Sequence, residues 1–418
     1  MQEIFTLTPY KFIPARKTKW VSRLSRWLRW HRSLIWKIEG VRGAEVRGGH
    51  HLLQSIAAGQ SVLLAANHSR TADPIAFGFL EEKLGLDLYV MASRHVFSQG
   101  WLTTQFVQAV GAFSVNREGL DRAAIDYALQ ILESNDRPLI IFPEGSTSRT
   151  ADRLMPFLDG LSFMARAGAK KRAARDGGRT VIHPVAFRYR FEGDIRSAVE
   201  PILDRVEKRL SWNPGRVGDL LPRIQRLGMA LVAIKEIEIC GSPQSGTLEQ
   251  RLANLIERLL QPLEEKWLGR VQTGNCAVRI KTLRTRILPE MTEGKVPESE
   301  MPGRFSDLRD TYVAHQMACF PLGYLNEYPS VDRVRETVER FEEDVTDTSS
   351  LIRPLKCIIE VGPAIEVGTE KTARRGGDGD PLMQQVADQL QGLLTGLARE
   401  SPLYQPTSNP AGAAHASG

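Results

Sequence analysis

The chain has 418 residues, 42% hydrophobic and 25% charged, a composition that excludes disorder over most of its length. Its net charge of +6 is uneven: residues 1–50 carry +8, leaving about −2 on the rest, so the basic balance is no argument for a nucleic-acid partner. Cys240, Cys276, Cys319 and Cys357 stand far apart, at neither disulfide-framework nor zinc spacing. No apolar run approaches the ~18 residues a spanning helix requires, and Met1 to Pro14 lacks the apolar stretch of a signal peptide. These features predict a protein kept on the cytoplasmic side, with no transmembrane helix and no metal site.

From Arg16 to Lys37 there are eight Lys/Arg, no acidic residue and four of the seven tryptophans. Trp20, Leu24, Trp27, Leu28, His31, Leu34 and Ile35 recur at helical spacing, while Lys19, Arg23, Arg26, Arg29 and Arg32 take much of the remaining circumference. The pattern predicts an amphipathic helix lying on a membrane surface, with Trp20 and Trp27 at headgroup depth and Arg23 and Arg26 over anionic lipid. The blander alternative is a core-packing helix with a solvated basic face.

Short apolar runs then alternate with amphipathic stretches. Strands are expected at Ser61–Asn67, Leu86–Met91, Ala112–Asn116, Leu139–Phe142, Val181–Phe187 and Lys235–Ile239. Asp73-Pro74 reads as the cap and first position of a helix running to about Lys83, and Ile125, Ala128, Leu129 and Leu132 mark the buried stripe of another. The alternation predicts an α/β fold with a mostly parallel sheet flanked by helices. Beyond Gly246 the Thr247/Gln250 capping box opens a helix, with further helices near 305–318, 331–345 and 381–398, a late strand at Cys357–Val361 and a charged Gly-rich loop at Thr369–Asp380. The chain thus divides into a basic Trp-rich membrane-surface segment (1–50), a strand–helix domain (51–268), a mainly helical C-terminal extension with a late strand (269–400) and a disordered tail (401–418).

Three polar clusters each follow an expected strand: Asn67-His68-Ser69-Arg70-Thr71-Ala72-Asp73, Asn116-Arg117, and Pro143-Glu144-Gly145-Ser146-Thr147-Ser148-Arg149. In an open parallel sheet the loops after strand C-termini line one edge, where ligands bind, so these distant segments are expected to face one cleft. His68 and Asp73 lie five apart and can meet only if His68 precedes the helix that Asp73 starts. Such a carboxylate fixes the imidazole tautomer and raises the basicity of the other nitrogen, which suits removal of a proton from a hydroxyl. Taken singly, His68 could be a hydrogen-bonded strand-end histidine, Glu144 a turn residue, and Arg117 and Arg149 solvated charges.

In order and spacing these blocks resemble the glycerolipid acyltransferase family. N-H-x-x-x-x-D is matched by Asn67, His68 and Asp73, and the Gly-to-Arg run by Gly111 to Arg117. F-P-E-G-T/S-x-S is matched by Phe142 to Ser148, and the apolar strand with a central Pro-Val by Val181 to Phe187. The resemblance covers about residues 50–250 and implies a glycerol-3-phosphate acyltransferase-like fold. It implies transfer of a fatty acyl group from acyl-CoA or acyl carrier protein, as co-substrate rather than cofactor, to a lysophospholipid hydroxyl, foremost 1-acyl-glycerol-3-phosphate. His68 would be the base and Asp73 its orienter; Arg117, Glu144, Gly145, Ser146 and Arg149 would hold the acceptor; Pro184 and Val185 would shape the acyl pocket. Many members carry Arg two positions after the Gly of the third block, where this chain has Thr147. Either Arg149 substitutes, or the head group is not the usual phosphate. Another lysolipid, an amino-acid-linked acceptor, a thioesterase and a non-catalytic membrane module are the alternatives.

Overall fold

The computed structural model describes residues 9–117, 119, 121–158, 160–210, 219–320, 323–325, 328–369 and 380–406. Their strands are β1 (Val41–Arg47), β2 (Ser61–Ala66), β3 (Tyr89–Ser93), β4 (Ala112–Val115), β5 (Leu139–Ile141), β6 (Thr180–Phe191), β7 (Leu355–Val361) and β8 (Ile365–Glu366). They form one sheet in the order β1-β7-β6-β2-β5-β3-β4, with β8 also on β6. From β6 to β4 all neighbours are parallel; β7 is antiparallel to β6, and β1 is parallel to β7. The fold is therefore α/β, a mostly parallel sheet flanked by helices.

Every residue of β2 is buried, because helices cover both faces of the sheet. Adjacent Leu63 and Leu64 point to opposite cores, as strand alternation requires. On the Leu64 side Phe77 and Leu80 of the helix Asp73–Leu84 meet Val185 and Phe187 of β6. On the Leu63 side Phe113 meets Ala128 and Leu132 of the helix Arg122–Ser134 and Ala165 of the helix Gly160–Asp176. β6 continues six residues beyond Val185, which pairs with Ala66 at the end of β2. This overhang, backed by β7, makes a wall beside the loop that leaves β2.

Several expectations change. Lys235–Ile239 is the end of a helix, Leu220–Cys240, whose buried Ile224, Leu227, Gly228, Val232 and Glu236 follow helical spacing through the supposed strand. The basic head is two helices, Trp20–Trp27 and Trp30–Glu39, broken at Arg29, whose φ of 53° is left-handed. Residues 41–47, counted with that head, are edge strand β1, half-exposed and therefore lacking a continuous apolar run. The late strand is not peripheral to the first domain: β7 lies inside the sheet between β1 and β6. The helix Leu248–Leu268, expected in the strand–helix domain, instead shares a separate core with the helices Cys276–Thr292 and Met301–Ala318 of the extension, through Leu260, Leu263, Leu283, Ile287 and Leu308. The next helix, Val331–Thr346, returns to the main core through Val334, Val338 and Phe341.

The expected tail is also pinned at its start. Ser401 and Tyr404 are buried, Ser401 Oγ donates to Asp332 at 2.6 Å, and the Tyr404 N–H donates to the Pro329 carbonyl at 2.9 Å. The remainder of that tail, 407–418, and residues 370–379 of the Gly-rich loop lie outside the described residues. Because β7 is a central strand, Ile359→Ala should destabilise the whole fold by about 2–5 kcal/mol, the range for emptying a buried aliphatic site. Urea unfolding should show one shifted transition for the sheet domain, not a separate early step.

Candidate active site

The site is built where the chain leaves β2. Asn67 prolongs the sheet with its side chain: Oδ1 accepts from the Phe187 N–H at 2.7 Å, and Nδ2 donates to the Phe187 carbonyl at 3.1 Å. That clamp fixes where His68 begins. The His68 N–H donates to Glu144 Oε1 at 2.7 Å, and its carbonyl accepts from the Ser148 N–H at 2.8 Å. Its ring stacks on Phe142, with centroids 4.3 Å apart.

His68 Nδ1 lies 2.9 Å from Asp73 Oδ2. The two residues meet because the chain turns through Ser69–Ala72 before the helix begins at Asp73. Asp73 does not cap that helix, contrary to the sequence reading; Ala72 occupies the cap position, and the carboxylate turns back to the loop. There Oδ2 also accepts from the Arg70 N–H at 2.9 Å, and Oδ1 accepts from the Tyr189 hydroxyl. A carboxylate on Nδ1 selects the tautomer protonated there and leaves the Nε2 lone pair as proton acceptor. Burial and the neighbouring Asp73 push the Tyr189 hydroxyl well above its ordinary pKa, so it stays a donor.

Glu144 lies beneath this loop, 2% exposed. Its second oxygen accepts from the Met155 N–H at 2.7 Å, so both oxygens tie backbone together. The acceptor-holding place expected for Glu144 is thus not where its carboxyl is found. Gly145 has φ +72°, a left-handed conformation that strains other residues, and a Cβ there would push against the Leu158 side chain, so the tight turn favours glycine. Ser146 sits half-buried in the same turn. Arg149, left-handed at φ 61°, donates from Nη2 to Glu343 Oε1 at 2.8 Å.

Arg117 is exposed beyond β4, three strands from β2, so the two strand ends stand ~14 Å apart. Pro184 and Val185 pair with Ala65 and Ala66 in mid-sheet and are buried, flooring the site instead of opening onto a groove. The structure also adds residues that the sequence reading did not assign. Tyr189 shares the face of Val185 and Phe187 by strand alternation, a cue present in the sequence. Arg70 lay within the first block, but its partners, Glu39 and Glu339, are 31 and 269 positions away and carry no local cue.

The surface head is only partly as expected. Trp20 and Trp27 are 66% and 77% exposed, and Leu24, Leu28, Trp30 and Leu34 are exposed beside them. Arg23 is exposed, but Arg26 turns inward to Asp87 at 2.8 Å. His31 packs edge-on against Phe79 and Ile35 enters the core, because the break at Arg29 separates the two faces of the expected single helix. Trp30 meets Phe106 at 5.6 Å between centroids, joining this surface to the helix Trp101–Ala109, whose first turn exposes Trp101 and Leu102. Among the described residues no helix is long and apolar enough to cross a membrane.

Residues 45–188, which hold the His68 loop, the Glu144 turn and most of β6, match the family described as Acyltransferase. Over this stretch, about a third of the chain, the match supports an acyltransferase domain. A 1-acyl-sn-glycerol-3-phosphate acyltransferase of Streptococcus pneumoniae (strain ATCC BAA-255 / R6) is 29% identical over 117 residues, 27% of this chain. The matched segment spans 40% of that relative's length. Within the acyltransferase region the family match ends at Arg188, before Tyr189 and before every residue of the helix that supplies Glu339 and Glu343.

Burial pushes the Glu144 carboxyl up to about 8 against the pull of its two N–H donors. A carboxyl raised in the folded state contributes stability that is complete below its unfolded value near 4.5 and lost as pH rises through about 8. Glu144→Gln should therefore lose least relative to the native chain at pH 8.5 and most at pH 5. Thermal unfolding of both proteins across that range checks the slope.

Proposed function

We propose that this chain is an O-acyltransferase that moves a fatty acyl group from acyl-CoA or acyl carrier protein to the hydroxyl of a lysophospholipid. The observation that carries the reading is the 2.9 Å contact of His68 Nδ1 with Asp73, inside the stretch that matches the family. In the step inferred here the acceptor oxygen attacks the thioester carbonyl while His68 Nε2 takes its proton. The tetrahedral intermediate collapses with cleavage of the C–S bond, and the imidazolium returns the proton to the departing thiolate. The thioester supplies an activated carbonyl, so the chain needs to furnish only base and alignment, and no covalent enzyme intermediate forms. Asp73 and Tyr189 act as positioning residues, holding the ring without touching substrate. The relative's name specifies 1-acyl-sn-glycerol-3-phosphate as acceptor, the head group also implied by the sequence blocks.

The test is thiol release from palmitoyl-CoA with and without a lysophospholipid. His68→Ala should lower kcat by about 10²–10⁴-fold, the usual worth of a general base, while the protein remains folded. Release that ignores the lysolipid would instead identify a thioesterase, and an undiminished His68→Ala would end the assignment of the base.

We further infer peripheral attachment to the cytoplasmic face of a membrane through the exposed Trp20, Leu24, Trp27, Leu28 and Leu34 surface. Indoles suit the headgroup layer, and each exposed cation near anionic lipid contributes about 1 kcal/mol, so Arg23 supports the contact where the inward-turned Arg26 does not. Trp20→Ser/Trp27→Ser should abolish flotation with phosphatidylglycerol vesicles while leaving the fold intact; unchanged flotation would locate the contact elsewhere. Substitution is the appropriate test because Ile35 and Glu39 in the following helix are structural.

A further inference from the structure

Beside His68 the loop 67–73, the turn 145–150 and the helix Val331–Thr346 enclose a small polar cleft. Its charges have both signs, and most are committed. Arg70 donates to Glu39 and Glu339, and Glu339 also accepts from Arg335 at 2.9 Å. Glu336 accepts from the Ala151 N–H at 3.2 Å and from the Tyr324 hydroxyl. Arg340 donates to the Gln316 carbonyl at 3.4 Å and pairs with Asp344 at 3.3 Å. What remains is one pair, Arg149 and Glu343, whose mutual bond is the single hydrogen bond either side chain makes among the described residues. Both are partly open to solvent, at 23% and 16%. The hydroxyl of Ser69, next to the candidate base and 3% exposed, is buried on this cleft without a hydrogen-bond partner.

A phosphate monoester would meet the wrong electrostatics here. It brings about two negative charges to an arginine that already holds a carboxylate, and Glu343 would remain within hydrogen-bond range as a like charge. A head group with both signs removes the conflict: its anionic oxygens replace Glu343 on Arg149 and accept from the orphaned Ser69 hydroxyl, and its cation takes the released Glu343. As it stands the cleft has room for about one water, so a head group enters only if the Arg149–Glu343 pair parts to admit it.

We propose that this cleft binds the head group of a zwitterionic lysophospholipid, a phosphodiester bearing an ammonium, with Arg149 and Glu343 as the specificity-determining pair. The proposal rests on the acyl-transfer reading above. Neither residue acts on the reacting atoms; each selects the acceptor.

The test compares lysophosphatidylethanolamine, lysophosphatidylglycerol and lysophosphatidic acid as acceptors for palmitoyl-CoA, in the native chain and in Glu343→Gln. The native chain should favour lysophosphatidylethanolamine in kcat/KM by about tenfold or more, the worth of one charge-assisted hydrogen bond. Glu343→Gln should erase that preference by raising KM for this acceptor and lowering it for the anionic ones, with kcat retained. A native preference for either anionic acceptor, or an equal effect of Glu343→Gln on all three, overturns the proposal. Should no lysolipid be acylated, the acyl-transfer reading fails separately, and thermal stabilisation by sn-glycero-3-phosphoethanolamine against sn-glycerol 3-phosphate decides the cleft. Selective stabilisation by the former that Glu343→Gln removes sustains the head-group site, and its absence ends it.

Discussion

The Asp73 carboxylate is wholly buried, and everything proposed for the site depends on how it is satisfied there. Burying a carboxylate is costly unless its oxygens are hydrogen-bonded; this one accepts from the His68 ring, the Arg70 N–H and the Tyr189 hydroxyl. Each donor comes from a different part of the local architecture: the strand exit, the turn after it, and the overhang of β6. The imidazole is consequently oriented by a group that cannot move without breaking three contacts. Such over-determination turns a polar residue at a strand end into an aligned base. Asn67 and Glu144 do the same for the backbone, one gripping β6 and the other the loop near Met155.

The helix Val331–Thr346 shows that the region beyond the family match is part of this device. Its apolar side supplies Val334, Val338 and Phe341 to the main core, while its polar side presents Glu336, Glu339 and Glu343 to the arginines beside His68. β7, which follows it, lies in the sheet next to β6 and thereby backs the strand that carries Tyr189. Fold and site therefore share the same late elements. The three-helix group around Leu260, Leu283 and Ile287 has a core of its own.

Much of the fold was legible because its signals are local. β2, β4 and β5 are short apolar runs ended by turn residues, β6 was legible as far as Phe187 but runs on through Arg188 and Arg190 to Phe191, and the helices at 73–84, 122–134 and 331–346 show their stripes and boundaries in the sequence. The meeting of His68 with Asp73 was legible too, since the turn between them is short and the helix start is marked by Pro74. β1 was not, because an edge strand with one wet face has no continuous apolar run. Lys235–Ile239 misled for the opposite reason: five alternating residues satisfy a strand template, while the buried stripe over the preceding turns belongs to a helix. The break at Arg29 rests on one left-handed residue that no composition signals, and it decides that Arg26 faces Asp87 instead of lipid.

The ion pairs around His68 escaped the sequence for a deeper reason. Arg70 with Glu339 and Arg149 with Glu343 join residues 269 and 194 positions apart, and charge alone does not say which of many carboxylates each arginine takes. Stability is not their main contribution, since buried pairs lose in desolvation about what they gain in attraction. Arg70, enclosed by Glu39 and Glu339, fixes the position of the 331–346 helix against the base. Arg149 and Glu343, more open and among the described residues bound only to each other, are the pair proposed to exchange on that rigid frame. A site that must admit a polar head group without leaving naked charge while empty has reason to combine the two: fixed pairs to hold the walls, and one soluble pair that yields its partners to the ligand.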